Sequence, residues 1–390
     1  MPPADVEAPE AITTRAFGSS IERSAPDPSA PVDGLVGGFN ETGFALLDQQ
    51  PTGENFVFSP TSIFHTLLMA RGAADDVTAA SITAGLSIPA GPDADAAWNV
   101  VDQQMGSWPT LALANRVWPR IDVEPSQAWL DLLAVQHGTD VEALAFADDP
   151  AGSRDTINEW VADRTEDLIP EVLPEGFVTS DTSLVMTDAV YFEAEWARPF
   201  GKYGTVDRDF TLLDGSTIPL ELMQELEGTG IRGVGDGFVA AELAYEGDAF
   251  SMLIVVPDDG RFDEVRSDLD QAMLDEIDAT FTTGPYELLL PKWETTSTLD
   301  LVPFATEIGA APGAYPGISP ASQLSGAVHA ADISVDETGT VAAATTVLDF
   351  LESGPPEPEL TVAADQPFLY VIRHGASGLV LFAGQLVDPT

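Results

Sequence analysis

The chain has 390 residues, 44% of them hydrophobic, which suffices for a large core and for more than one sheet. Its 64 acidic and 15 basic residues give a formal charge of -49, with Lys202 and Lys292 as the only lysines. That balance excludes ordinary nucleic-acid binding through phosphates. Carboxylates spread along the whole chain predict adaptation to concentrated salt, where the screening length shrinks to about 3 Å. With no cysteine there are no disulfides and no thiol chemistry, and the compartment stays open. Neither an apolar run of transmembrane length nor a basic-then-apolar leader is visible, so no membrane contact is expected. A leader removed earlier is compatible with the same reading.

Residues 1–33 hold six of the 30 prolines, at Pro2, Pro3, Pro9, Pro26, Pro28 and Pro31, with little apolar periodicity. They read as a mobile acidic tail ahead of a single domain over 34–390. Ser59-Pro60 is a helix start, the serine able to cap free N–H groups and the proline suited to the first helical position. Ile63, Leu67 and Ala70 then keep helical spacing. Ile157, Trp160, Val161, Arg164 and Leu168 predict a second helical stripe that ends before Pro170. From 184 to 257 the apolar runs shorten and alternate, with turn pairs Asp214-Gly215 and Glu246-Gly247 between them, which predicts strands and hairpins. Further strands are expected at 286–290, 368–372 and 379–382. Helices first and strands later, without β-α-β alternation, predict an α+β fold.

The most informative stretch is 335–348, VDETGTVAAATTVL. Gly339 permits a hinge at little steric cost. Beyond it Thr340, Ala342, Ala344 and Thr346 alternate with Val341, Ala343 and Thr345 at the period of a strand. No proline or charge lies between Gly339 and Leu348. Such a run can be stored as a loop and later laid into a sheet, its Thr340 face needing only small cavities. Hydrolytic chemistry finds no support: cysteine and G-x-S-x-G are absent, and the four histidines, His65, His137, His329 and His374, show no metal-ligand spacing. No enzyme activity, cofactor or metal is expected.

Eight segments in order resemble the serpin family of protease inhibitors. They are NFVFSPTSI at 55–63, INEWVADRTEDLI at 157–169, TSLVMTDAVYFEAEW at 182–196 followed by Pro199 and Phe200, 244–257, Pro291-Lys292-Trp293, Val328-His329, the 335–348 hinge, and Pro367-Phe368 with LVLFAGQLVDP at 379–389. The resemblance implies a serpin-like α+β fold with three β-sheets, about nine helices and an exposed reactive loop at about 337–366. It also implies a suicide inhibitor: a serine protease cleaves the loop, and the hinge inserts into the main sheet before the acyl-enzyme hydrolyses.

Counting from the acidic hinge residue Glu337 with the family's spacing lands on Ser353, which places the scissile bond at Ser353-Gly354. Counting back from Pro367-Phe368 lands on Pro356, and Glu352-Ser353 and Leu351-Glu352 are the next choices. No Lys or Arg occurs between Val341 and Gln366, which disfavours a trypsin-like target. Phe350 and Leu351 suit subtilisin-, chymotrypsin- or elastase-like enzymes, and a cysteine protease is a second target class. Ser59, Ser62 and His329 match the family's polar cluster beneath the sheet, and Trp196 the tryptophan where insertion starts. Asp188 stands where the family usually has asparagine, which predicts an ion pair with a protonated His329. Val341 and Thr345 also depart from the family pattern, at positions expected to face outward. The same fold is compatible with a non-inhibitory carrier or chaperone. A monomer is expected, acting outside the cell by family resemblance, with a cytoplasmic location left open.

Overall fold

The computed structural model describes residues 14–105, 111–113, 116–165, 167–201, 204–225, 230–324, 326–340 and 358–390. In chain order, β1 (Thr14–Phe17), α1 (Val32–Asp48), β2 (Phe56–Phe58), α2 (Pro60–Arg71), α3 (Asp76–Gly85) and α4 (Pro92–Met105) come first. They lead to β3 (Leu111–Leu113), β4 (Arg116–Pro119), α5 (Gln127–Leu132), a π-helical turn (Leu133–His137), β5 (Val141–Leu144) and α6 (Pro150–Arg164). Strands then dominate: β6 (Leu184–Phe192), β7 (Ala194–Glu195), β8 (Thr205–Thr211), β9 (Thr217–Glu225), β10 (Gly230–Gly235), β11 (Phe238–Ala244) and β12 (Phe250–Pro257). After α7 (Phe262–Asp268) and α8 (Gln271–Thr280) come β13 (Thr282–Gly284), β14 (Tyr286–Pro291), β15 (Trp293–Asp300), α9 (Val302–Glu307), β16 (Val328–Val335) and β17 (Gly339–Thr340). The chain closes with β18 (Leu360–Ala363), β19 (Phe368–His374) and β20 (Val380–Leu386).

Local chemistry sets these boundaries. Ser59 caps α2 by accepting the Ser62 N–H, with Pro60 at the first helical position as its fixed φ favours. Asp149 and Asp270 cap α6 and α8 in the same way. The β8–β9 and β11–β12 hairpins turn at Gly215 (φ 81°) and Gly247 (φ 87°), a backbone region open mainly to glycine.

Three larger sheets carry the fold. One has the order β13-β10-β11-β12-β19-β20-β2, a second β18-β14-β9-β8, and the main sheet β3-β6-β16-β17-β7 with β15 added on β16 and β4 on β6. Helices α1 and α2 pack on β20 around a large apolar core that includes Phe39, Phe64, Met252, Tyr370 and Phe382. A smaller cluster of Trp118, Ile157, Val161, Val185, Val328 and Ala330 joins α6 to the opposite face of the main sheet. Residues of β16 therefore alternate, Val328 and Ala330 toward α6, Ala331, Ile333 and Val335 toward the main core.

Two expectations are corrected. The helical stripe drawn through Leu168 stops earlier: α6 ends at Arg164 with Thr165 as its C-cap, and Leu168 is exposed. Its start lies upstream, at Pro150, where Asp149 supplies the cap. The acidic tail assigned to 1–33 has defined structure from Thr14 onward. β1 pairs antiparallel with β5, Ser24 donates its N–H to Val135 O at 3.0 Å, and Arg23 donates to Asn99 Oδ1 at 2.9 Å. Pairing of backbone and arginine with the α4 face outweighs the proline content there. Beside the three expected sheets, β1 and β5 form a small two-stranded one. Among the described residues no helix is long and apolar enough to cross a membrane.

One buried polar chain links α2, α4 and the π-helical turn. Arg71 pairs with Asp95, Asp95 Oδ1 lies 3.2 Å from His137 Nε2, and His137 Nδ1 lies 3.1 Å from His65 Nε2. Asp95 only accepts, so His137 donates from Nε2 and takes the His65 proton at Nδ1. The His65 ring stacks on Trp98 with centroids 4.0 Å apart. Burial, then the neighbouring His137 and Arg23, holds the His65 imidazole well below its ordinary value. Its neutral form thus stabilises the fold fully above about pH 6.5, and that contribution is lost as pH falls toward the depressed folded value. The melting temperature is expected to drop on acidification below that point, and His65→Phe, which keeps the stack on Trp98, is expected to flatten the dependence in melts recorded from neutral pH downward.

Candidate functional site

The site lies where β16 passes from one partner to another. Along its first half β16 pairs parallel with β6, from Val328↔Thr187 to Ala331↔Val190. Past Ala331 the two strands part, and β17 fills the opening, with Thr340 opposite Val335 on one side and Gly339 and Thr340 opposite Glu195 and Ala194 on the other. On its other edge β16 pairs with β15 over its whole length, Trp293↔Val335 to Asp300↔Val328. The main sheet is thus a wedge, closed at one end and holding two inserted residues at the other.

A tight turn delivers those residues. Asp336 Oδ1 accepts from Thr338 N at 2.7 Å, Thr338 Oγ1 at 2.6 Å and Gly339 N at 3.1 Å, and Asp336 N donates to Gly339 O at 3.0 Å. This is a side-chain-closed turn of the kind Asp favours. Trp196 straps it from the β7 side: its N–H donates to Thr338 O at 2.8 Å and its Nε1 to Asp336 O at 3.0 Å. Phe200 N donates to Glu337 O at 2.8 Å, and Lys292 Nζ pairs with Glu337 Oε1 at 2.6 Å. Beneath the turn the Trp196 ring stacks on Tyr245, centroids 4.5 Å apart at 14°, and the Tyr245 hydroxyl meets Thr340 Oγ1 at 2.7 Å. Tyr245 and Thr340 are both 1% exposed. Burial pushes the Tyr245 phenol far above its usual range, offset in part by the Thr340 bond, so it stays a neutral hydrogen-bonding group.

Gly339 earns its place differently from the expected hinge. It has strand backbone without a positive φ, yet a Cβ there would lie 2.1 Å from Ala194 O and 2.8 Å from Glu195 Cα. Close approach of two strands is what requires glycine.

At the closed end His329, wholly buried on β16, accepts the Ser59 N–H at Nε2, 3.0 Å away. Ser59 and Ser62 are buried beside it, so the start of α2 is fastened to the sheet. Accepting at Nε2 leaves that nitrogen without a proton of its own, and the side chain of Asp188, the ion-pair partner expected for His329, lies outside the described residues. Asp188 is the register partner of His329 across the β6–β16 pair.

The structure therefore gathers Glu337, Gly339, Thr340 and Trp196 at one end of the wedge, and Ser59, Ser62 and His329 with the Asp188 backbone at the other. Val341, Ala342, Ala343, Ala344, Thr345, Thr346, Leu351, Glu352, Ser353 and Gly354 lie outside the described residues. Sequence reasoning missed Asp336, Tyr245 and Lys292. The D-x-T-G order signalled the turn around Asp336. Lys292, one of two lysines, stood in a quoted motif, whereas nothing local marks Tyr245. Beside Trp196 opens a cavity of about 790 Å³ lined also by Phe200, Phe250, Tyr286 and Arg373. Among the described residues no group of three or more His, Asp or Glu is placed to hold a metal ion.

Comparison with known proteins agrees with this architecture. The family profile "Serpin (serine protease inhibitor)" matches residues 39–389. Antithrombin-III of Mus musculus is 29% identical over 292 residues, covering 72% of this chain but 62% of that relative. Serpin-Z1 of Arabidopsis thaliana is 28% identical over 374 residues, covering 88% of this chain and 91% of the relative. In the solved native state of the thermophilic serpin tengpin, the fold matches with a TM-score of 0.84 at 22% identity, over 95% of this chain and 97% of that one. The chain belongs to the serpin family, a family of serine protease inhibitors.

Tyr245→Phe removes only the hydroxyl that meets the buried Thr340 Oγ1, and is expected to destabilise by about 1–3 kcal/mol in denaturant titrations. Gly339→Ala forces β17 away from Ala194, so the amides of Gly339 and Thr340 are expected to lose protection in hydrogen exchange while those of β15 keep theirs.

Proposed function

We propose that this chain is a suicide-type inhibitor of serine proteases, whose loop is cleaved near Ser353-Gly354 and whose hinge then inserts between β6 and β16. The observation that carries the reading is the register of β17. Extended along β16, the Val335↔Thr340 pairing sets Ala342 opposite Ile333, Ala344 opposite Ala331 and Thr346 opposite His329. Extended along β7 and β6, the Thr340↔Ala194 pairing sets the same residues opposite Phe192, Val190 and Asp188. Ala331 and Val190, and His329 and Asp188, already face each other across the closed pair. A new strand therefore enters by lateral parting alone, with no slip of β6 against β16. From Ala342 to Thr346 each core-facing position receives Ala or Thr, as small cavities require.

Ten residues, 341–350, reach Leu184 at the start of β6 in this register. Each new backbone bond contributes about 0.5–1.5 kcal/mol net, so the strand's sum exceeds the roughly 3–4 kcal/mol an oxyanion-hole donor supplies to a protease. Ser353 then trails just past the strand end, which favours Ser353-Gly354 over Leu351-Glu352 or Glu352-Ser353. The absence of Lys and Arg from 342–365 favours a subtilisin-, chymotrypsin- or elastase-like target over a trypsin-like one, with cysteine proteases second. Action on a secreted protease, outside the cell, is part of this reading. So is a salt-rich milieu: Asp207 stands directly opposite Glu221 on the β8–β9 ladder, a like-charge pairing that screening relieves. The melting temperature is expected to rise steadily from dilute buffer to molar potassium chloride.

Mixing the protein, in concentrated salt, with a salt-tolerant subtilisin-like protease is expected to yield a band of summed mass that survives denaturation, and a released peptide beginning at Gly354. Clean cleavage with fully active protease would instead assign a non-inhibitory member of the family. Ala342→Arg sets a charge on the core face of the new strand, opposite Ile333 and Phe192. It is expected to keep the cleavage rate and abolish the covalent band.

A further inference from the structure

We propose that the cavity beside Trp196 is a binding site for a small organic cation, a primary ammonium carried on an aromatic body. Binding there stands apart from the inhibitory reading, since it needs neither loop cleavage nor strand insertion.

The cavity opens where two sheets and a helix meet: β11 supplies Glu242 to its wall, β12 Phe250, α8 Asp278, β14 Tyr286 and β19 Arg373. Its volume of about 790 Å³ lies within the roughly 300–1,000 Å³ of small-molecule sites. Gly230 shapes one side. A Cβ there would overlap the Tyr286 ring, so the absence of a side chain lets that ring pack against the β10 backbone.

Charge on the wall selects the sign of the ligand. Four carboxylates, Glu225, Glu242, Asp248 and Asp278, line the cavity against two guanidiniums, Arg198 and Arg373. Every guanidinium nitrogen of Arg373 already serves a carboxylate: Nε and Nη2 donate to Glu242 Oε1 at 3.1 and 2.7 Å, while Nη1 and Nη2 donate to Asp278 at 2.9 and 2.7 Å. One positive charge is thus shared by two negative ones. His374 on the same wall adds no charge at neutral pH, because burial lowers its pKa from the ordinary value. An anion entering here meets net repulsion, and a cation meets net attraction.

Tyr286 supplies the polar contact. Its side chain is 6% exposed, and its hydroxyl has no hydrogen-bond partner among the described residues. Burial, then the neighbouring Glu225, pushes the phenol up to about 12, so it stays neutral with an oxygen lone pair to offer. A buried hydroxyl left unpaired is costly, and an ammonium donor entering the cavity relieves that cost. Trp196, Phe200, Phe250 and Phe281 complete the wall, rings that attract both a cation and the apolar body beside it. A primary ammonium on an aromatic body answers all three features at once.

A chain of charge -49 also gathers cations over its whole surface, so a site must be separated from that atmosphere. In molar salt the screening length is about 3 Å, which suppresses the atmosphere while enclosed contacts persist. The test is equilibrium dialysis of the full chain in molar potassium chloride at neutral pH. Benzylammonium is the probe, with benzyl alcohol and phenylacetate as its neutral and anionic counterparts. Benzylammonium is expected to bind saturably, at least about tenfold tighter than either counterpart. Tyr286→Phe should weaken it about tenfold through loss of a hydrogen bond to a charged group, and Asp278→Asn about threefold. Thr283→Trp, at an exposed position on the cavity wall, should weaken it at least about tenfold by filling the space. No saturable binding of benzylammonium in salt, equal affinity for the three probes, or affinity unchanged in both Tyr286→Phe and Thr283→Trp would overturn the site. Melting curves show which variants fold, and the three probes on wild type decide the assignment even where a variant does not.

Discussion

Everything in the main sheet turns on the placement of two residues, Gly339 and Thr340, between β16 and β7. They pair with the parted strands at the open end of the wedge, with Val335 on one side and with Ala194 and Glu195 on the other. The Asp336 turn, the Trp196 strap and the Tyr245 hydroxyl exist to hold that pair in register. Removing the side chain from position 339 is what allows the strands to come so close.

The closed end obeys a different rule. There β6 and β16 bond directly and in parallel, and His329 draws the first turn of α2 against them through the Ser59 N–H. The cap that starts α2 and the bond that fastens the sheet meet on one serine, whose Oγ serves Ser62 and whose N–H serves His329. Opening the sheet therefore disturbs a helix terminus as well as a strand pair. The acceptor is Nε2 of one buried ring, so the closed state depends on that nitrogen keeping its lone pair free for the Ser59 N–H.

Charge and architecture act on separate scales. The carboxylate excess is a property of the surface: it sets solubility and salt response through screened repulsion, and leaves the fold class untouched. Individual ion pairs matter where one partner is buried. Arg71 with Asp95, Arg373 with Glu242 and Asp278, and Arg232 with Glu359 each bring a largely buried guanidinium to a carboxylate. In a chain with so few basic residues, these arginines are spent on interior joints.

Much of the fold was legible from local chemistry. Ser59-Pro60 marked the start of α2 and the Gly215 and Gly247 turns separated hairpins, because caps and positive φ are written in neighbouring residues. Family motifs supplied Trp196, Ser62 and His329. What the sequence left open depended on partners far along the chain. Whether 14–33 is a tail depended on α4 and β5 offering donors and acceptors. The hydrogen-bond partner of His329 Nε2 is a backbone amide 270 residues away. The helix through Trp160 ended at Arg164 although its stripe continued to Leu168. Composition and local pattern determined the class of fold and the acidic charge balance. Only the tertiary structure decided why Gly339 must be glycine and that Tyr245, Asp336 and Lys292 hold the turn into β17, since that placement rests on contacts between segments that no local window contains.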